Sequence, residues 1–141
     1  MDSTAKRVNY VTDSAKLLGL DNVTSVTMRA EEGGLLPEYR ENFDYATARA
    51  VANLRVLSEL CLPYVRVGGE FIAMKGKNAA FELHDAKKAI AILGGASARV
   101  EEIKITDGKT VEEHPLVVIE KRTKTPAAYP RPYAKILKKP L

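Results

Sequence analysis

Apolar residues return along this chain at two different spacings. Val8, Val11, Ala15 and Leu18 recur every three or four positions, behind Ser3 or Thr4 as a possible cap and ahead of Gly19 as a stop, which predicts a first helix. Residues 22 to 29 (NVTSVTMR) are rich in β-branched side chains and set Val23, Ser25 and Thr27 against Thr24, Val26 and Met28, which predicts a strand. A polar, glycine-containing loop, EEGGLLPEYREN, follows. Phe43 to Ala48 reads as the next strand, and Val51, Leu54, Leu57 and Cys61 then lie on one helical stripe until Pro63 disturbs it. Gly68-Gly69 introduces a further strand, EFIAMK. Over residues 79 to 93 the helical spacing returns with Leu83, Ala86, Ile90 and Leu93, stopped by Gly94-Gly95. Two strands close the pattern near 98 to 106 and 115 to 121, joined through TDGKTVEEH; the Asp107-Gly108 pair suggests a hairpin with a loop longer than the two-residue form.

Strands alternating with helices and ending in two consecutive strands indicate an open α/β sheet, mainly parallel, with an antiparallel pair at its end. The chain shows no internal repeat. Its 141 residues fit one domain, in which a globule buries roughly 68% of the surface its unfolded chain exposes. No run of about 18 apolar residues is present, so a membrane partner is not expected. The N-terminal MDSTAKRVNYV lacks the apolar stretch of a secretory signal, and one cysteine allows no internal disulfide, so a cytoplasmic location is expected. Charge does change the picture. Residues 121 to 141 hold seven Lys/Arg and no Asp/Glu, so the preceding 120 residues carry the chain's +4 less seven, or −3. This divides the chain into an α/β part over 1–121 and a basic, proline-containing tail over 122–141. Such a tail suggests a polyanionic partner, a solvated end being the plain alternative.

The stretch NFDYATARAVANL, residues 42 to 54, passes from strand to helix at Thr47 to Ala50 and puts Arg49 there. Ligands of open α/β sheets bind beyond the carboxyl ends of the strands, so a guanidinium fork at that rim can hold a carboxylate or position a nucleic acid; the alternative is a structural ion pair. No His/Asp or Cys/His constellation and no metal-ligand spacing occur. His84 and His114 read as structural or surface residues, and Cys61 as a small core residue. A nicotinamide-dependent dehydrogenase would need a G-x-G-x-x-G loop, which this sequence lacks.

Five segments carry a more specific signal: RAEE (29 to 32), YRENFDYATARAVANLRVLSELCLP (39 to 63), VGGEFIAMKG (67 to 76), AKKAIAILGG (86 to 95) and TPAAYPR (125 to 131). In this order they resemble the small-subunit ribosomal RNA guanine-N7 methyltransferase family, also called glucose-inhibited division protein B. The resemblance implies a Rossmann-like S-adenosylmethionine-dependent methyltransferase fold with strand order 3-2-1-4-5-7-6 and an antiparallel seventh strand. It also makes Met1-Asp2-Ser3 the tail of the second strand, so the chain looks like a C-terminal fragment without strand 1, most of strand 2 and the glycine-rich loop. Such a loss leaves unpaired edges between strands 3 and 4. The expectation is either that 22 to 29 shifts beside 43 to 48 or that two copies pair as a homodimer.

The resemblance implies cofactor contacts from Asp2 toward the ribose, from Ser3 next to it, from Ala30 and Glu31 beside the adenine, and from Arg49 beside the point of methyl transfer. For Asp2 a helix-capping carboxylate is the alternative. Transfer to guanine N7 uses a free lone pair and removes no proton from that nitrogen, so no catalytic side chain is assigned. In RNA the guanine must come from a loop or be extruded, and Lys121, Arg122, Lys124, Arg131, Lys135, Lys138 and Lys139 can meet phosphates while Tyr129 and Tyr133 stack on bases. The sequence departs from the family after YPR, where PYAKIL replaces a segment that usually contains Gly-Thr-Pro. The activity implied is methylation of small-subunit ribosomal RNA, with the isolated chain expected to be inactive. A non-catalytic RNA-binding or interaction domain is the alternative.

Overall fold

The computed structural model of the chain describes residues 1–49 and 52–141. Val51, placed on the predicted apolar stripe, and Ala50, placed on the rim turn, lie outside the described residues. Helix α1 spans Ala5–Leu17 and the one-turn helix α2 spans Ala30–Gly33. Strand β1 (Phe43–Arg49) leads to α3 (Leu54–Cys61), whose first turn is capped by the Asn53 side chain accepting from the Val56 N–H at 3.1 Å. Pro63 ends α3 in a short 3-10 turn, Leu62–Tyr64, that feeds β2 (Val65–Met74). Helix α4 (Ala79–Ile92), the hairpin β3 (Gly95–Thr106) and β4 (Val111–Lys121), and the short helix α5 (Tyr133–Lys138) complete the order.

The sheet order is β1-β2-β4-β3. β1 and β2 are parallel, and β4 is antiparallel to both neighbours, so β1, β2 and β3 run one way and β4 the other. This is the order and reversal that strands 4-5-7-6 of the implied fold would have. One face of the sheet is closed by α3 and α4: Leu54, Leu57, Phe71, Ala73, Ala86, Ile90, Val117 and Ile119 form one buried cluster. Side chains alternate across a strand, so the opposite face carries Tyr45, Arg49, Met74, Ile103 and Ile105, all exposed.

Several expectations need correction. The strand over 22 to 29 does not form. Among the described residues its one pairing is a parallel bridge between Thr27 and Asp2, with Asp2 N–H donating to Val26 O (3.2 Å) and Met28 N–H to Asp2 O (3.1 Å). β propensity makes a strand only where a ladder partner exists. The segment is also not beside β1, so the first of the two alternatives for it fails. Gly68-Gly69 does not introduce β2 but sits inside it, at a bulge where the register jumps from Phe43↔Val65 to Tyr45↔Glu70. A Cβ on Gly69 would lie 2.3 Å from Asp44 O, so glycine lets the two strands approach there. The hairpin is longer than expected: most of TDGKTVEEH is strand, and the turn is Asp107 to Thr110, held by the Asp107 carboxylate accepting from Lys109 N–H (2.8 Å) and Thr110 N–H (2.7 Å).

Candidate functional site

β1 ends at Arg49, in register with Met74 of β2, and both side chains are exposed on the sheet face away from α3 and α4. Beside this rim lies a cluster that the sequence reading missed. The Lys75 amine, almost buried, pairs with Glu82 at 2.7 Å and donates to Ala52 O at 2.8 Å, while the same carboxylate accepts the Leu54 N–H at 2.8 Å. These bonds tie the entry of α3 to the start of α4. The signal was a lysine directly after an apolar strand, with a carboxylate in the first turn of the following helix.

Asp2, Ala30 and Glu31 precede β1 in the chain, with Asp2 bridged to Thr27 just before the α2 turn that carries Ala30 and Glu31. The Tyr64 hydroxyl donates to Ala30 O at 2.6 Å, with the Met1 sulfur 3.3 Å away. Burial pushes the Tyr64 phenol well above its ordinary pKa. The Asp2 carboxylate accepts from Thr4 N–H at 2.8 Å and meets Arg7 at 3.4 Å. The Thr4 bond, before the Arg7 pairing, holds that carboxyl below its usual range, so it is ionised and keeps lone pairs for hydroxyl donors. Asp2 thus serves the start of α1 as well, while Ser3 is exposed next to it. The Glu31 carboxylate is 12% exposed and lies 3.9 Å from Arg29. Among the described residues no hydrogen bond or ion pair joins Arg49 to Asp2, Ser3, Ala30 or Glu31. A cleft of about 540 Å³ opens between α1 and residues 24–26, lined by Asp2, Val8, Tyr10, Val11 and Val26; it includes neither Glu31 nor Arg49.

Residues 121–141 do not form a uniformly solvated stretch. Lys121 is fully buried, with its amine donating to Leu62 O (2.7 Å) and Thr125 Oγ1 (2.6 Å) and 3.5 Å from Glu41. Burial lowers its pKa to about 8 against the pull of Glu41. It cannot reach a phosphate, which corrects its assignment to RNA. Arg131 is corrected for a related reason: its Nε and Nη2 grip the buried Glu59 carboxylate at 2.8 and 2.6 Å, and its backbone N–H adds a third bond at 2.9 Å. Tyr129 is half-buried against the core, with the Arg131 guanidinium 5.7 Å from its ring centroid, and Tyr133 packs beside Val56, Leu60 and the buried Ile136. Arg122 is exposed and paired with Glu120 at 3.0 Å; Lys124, Lys135, Lys138 and Lys139 are exposed. His84 and His114 are exposed too. Cys61 is half-buried between the two apolar clusters, and desolvation raises its thiol pKa to about 12, which makes it inert.

The model of the family described as rRNA small subunit methyltransferase G matches residues 1–111. A "Ribosomal RNA small subunit methyltransferase G" of Clostridium perfringens is 48% identical over all 141 residues, which cover 58% of that protein, and one of Clostridium beijerinckii is 48% identical with the same coverage. The chain therefore spans about 58% of the length of these relatives. Among solved structures it is similar to a SAM-dependent O-methyltransferase from Thermotoga maritima, with TM-score 0.60 and 11% identity over 86% of this chain and 48% of that one. That likeness fixes the fold as Rossmann-like α/β. With four fifths of its length matched by one family model and a sheet of the corresponding order, the chain belongs to the rRNA small subunit methyltransferase G family.

Proposed function

We propose that this chain supplies the adenine-side and transfer-side segments of an enzyme that uses S-adenosylmethionine to methylate N7 of a guanine in small-subunit ribosomal RNA. The observation that carries the reading is Arg49 at the carboxyl end of β1, inside the matched family segment and on the sheet rim where open α/β folds take their ligands. The donor groups expected to make the other cofactor contacts fit the cofactor's chemistry. Asp2 is ionised and accepts from hydroxyls, as a ribose diol requires. Ala30 and Glu31 offer first-turn N–H groups and a carboxylate to a polar purine edge, and the Arg49 fork suits a carboxylate. The cofactor would bring an electrophilic methyl group. The protein's part is to hold its two ends, exclude water and align the guanine lone pair, so no general base enters. Cytoplasmic ribosomal RNA is the proposed substrate, the basic segment 122–141 its proposed contact, and pairing of two copies along the open β1 edge the proposed assembly.

Calorimetric titration of the chain with S-adenosylmethionine tests this. The sequence holds no glycine-rich loop to approach the methionine part, so affinity weaker than about 10 μM, or −6.8 kcal/mol, is expected, with Arg49→Lys reducing it further. Absence of any saturable binding would transfer the case to a non-catalytic RNA-binding or interaction domain, the reading that the exposed apolar residues Tyr10, Val11 and Leu17 of α1 favour.

A further inference from the structure

Helix α2 carries Ala30 and Glu31 and is a single turn, too short to hold its own shape, since nucleating one turn fixes several dihedrals for a single hydrogen bond. Two side chains from outside clamp its two ends. At the start, the Tyr64 hydroxyl donates to Ala30 O. At the end, Arg40 Nη1 donates to Gly34 O at 2.9 Å.

The Arg40 guanidinium reaches further. The same Nη1 donates to Tyr129 O at 2.8 Å, and Nη2 donates to Thr125 O at 2.8 Å and Pro126 O at 3.3 Å. Four backbone carbonyls from two distant segments converge on one planar fork, a task that a lysine's point charge cannot perform. The next residue adds to the join: the Glu41 carboxylate accepts the Thr125 N–H at 2.7 Å. Gly34 also lies against Pro130, whose Cγ would be 3.1 Å from a Cβ placed there. The Arg131–Glu59 pair fixes the far side of this strap to α3.

We propose that Arg40 and Tyr64 are positioning residues that set Ala30 and Glu31 for the cofactor, and that residues 125–130 belong to the frame of the cofactor site. The proposal rests on the reading of Ala30–Glu31 given under Proposed function. It assigns the YPR stretch and its approach a role independent of RNA, and it makes the Arg40 fork the link between the cofactor side and the C-terminal segment.

Amide hydrogen exchange on the full chain judges the clamp without any ligand. The Gly33 and Gly34 N–H groups, bonded to Arg29 O and Ala30 O at 3.0 Å each, report on α2. In Arg40→Gln and in Arg40→Lys both amides should exchange about tenfold faster, equivalent to ~1.4 kcal/mol, while the β2–β4 ladder stays within about twofold. Unchanged protection at Gly33 and Gly34, a matching loss in the ladder, or full retention by Arg40→Lys would each overturn the proposal. Tyr64→Phe gives the same reading at the other end should the Arg40 variants fail to fold. A titration with S-adenosylhomocysteine followed by chemical shifts then tests the consequence: the loosened variants should bind about tenfold more weakly than the parent chain. Parent-like affinity in a variant with a loosened α2 would refute positioning. A parent chain that binds no cofactor would instead sink the reading of Ala30–Glu31, leaving the exchange data to decide whether the clamp exists.

Discussion

Lys121 shows how position outweighs residue type. In VVIEK the inward phase of the strand runs through Val117, Ile119 and Lys121, so the period-two pattern already points this lysine at the core. Counting charge in the segment hid that phase. Its folded pKa of about 8 lies below the ordinary 10.5, so between those values the unfolded chain binds the extra proton and stability rises with pH. Below pH 8 the cost of the buried charge is felt in full. Cys61 and Tyr64, both raised by burial, pull the opposite way above their ordinary values of 9.0 and 10.0, so the effect must be read as a difference between variants. Glu41→Gln removes the countercharge but keeps an acceptor for Thr125 N–H. It should cost about 2 kcal/mol near pH 6.5, below the ~3–5 typical of a broken buried pair because Glu41 is 16% exposed. By pH 9 the gap should shrink, since Lys121 is then largely neutral in both proteins. Urea unfolding at the two pH values checks this; a gap that does not narrow would mean the Lys121–Glu41 pair is not the source.

The helices and sheet strands were legible where local pattern and tertiary partner agree. The stripes of α3 and α4 and the alternation over residues 70–74 of β2 and 115–121 of β4 needed nothing beyond the sequence. Three elements needed more. Residues 22 to 29 carry strand propensity without a ladder to join, and the outer halves of β3 and β4 are polar, made strands by each other, with Lys104 facing Glu113 at 3.5 Å. The C-terminal segment reads as a basic tail because seven cations dominate its composition, yet its anchors are Thr125, Arg131 and Ile136, whose partners Glu41, Glu59 and α3 lie far away in sequence. At the candidate site, Asp2, Ala30, Glu31 and Arg49 came from a motif. Arg40 and Tyr64 act through geometry that no local window contains, whereas the Lys75–Glu82 pair spans only seven residues and left a local signal. Removing Lys121 and Arg131 from the RNA-facing set leaves Arg122, Lys124, Lys135, Lys138 and Lys139. Five phosphate contacts to a single strand predict a log-log salt slope of about −3.5. Filter binding to a single-stranded ribosomal RNA segment at graded salt measures it, and a flat dependence would remove this segment from the interface.

At the scale of the whole molecule the sheet is finished on one side and open on two others. α3 and α4 close one face, whereas the opposite face and the outer edge of β1 are uncovered among the described residues, and Phe43, Tyr45, Met74, Ile103 and Ile105 are exposed there. An edge strand seven residues long, without proline and with one lysine-free row of backbone donors and acceptors, is a template for a second strand. Two copies meeting antiparallel about a two-fold axis at Ala46 would set Tyr45 against Thr47 of the other copy and Phe43 against its Arg49, both pairings favourable on a β surface. So short an edge buries less than a standard interface, so the dimer should be weak, with Kd in the range of about 10–100 μM. Sedimentation velocity across that range should show a concentration-dependent shift from monomer to dimer. Tyr45→Lys puts a charge on the edge without touching the core, because the side chain is 62% exposed, and should abolish the shift while leaving Tm unchanged. A chain that stays monomeric at every concentration would refute pairing through β1. A dimer that survives Tyr45→Lys would place the contact away from β1, with Ile103 and Ile105 of β3 at the opposite end of the sheet offering the next apolar row.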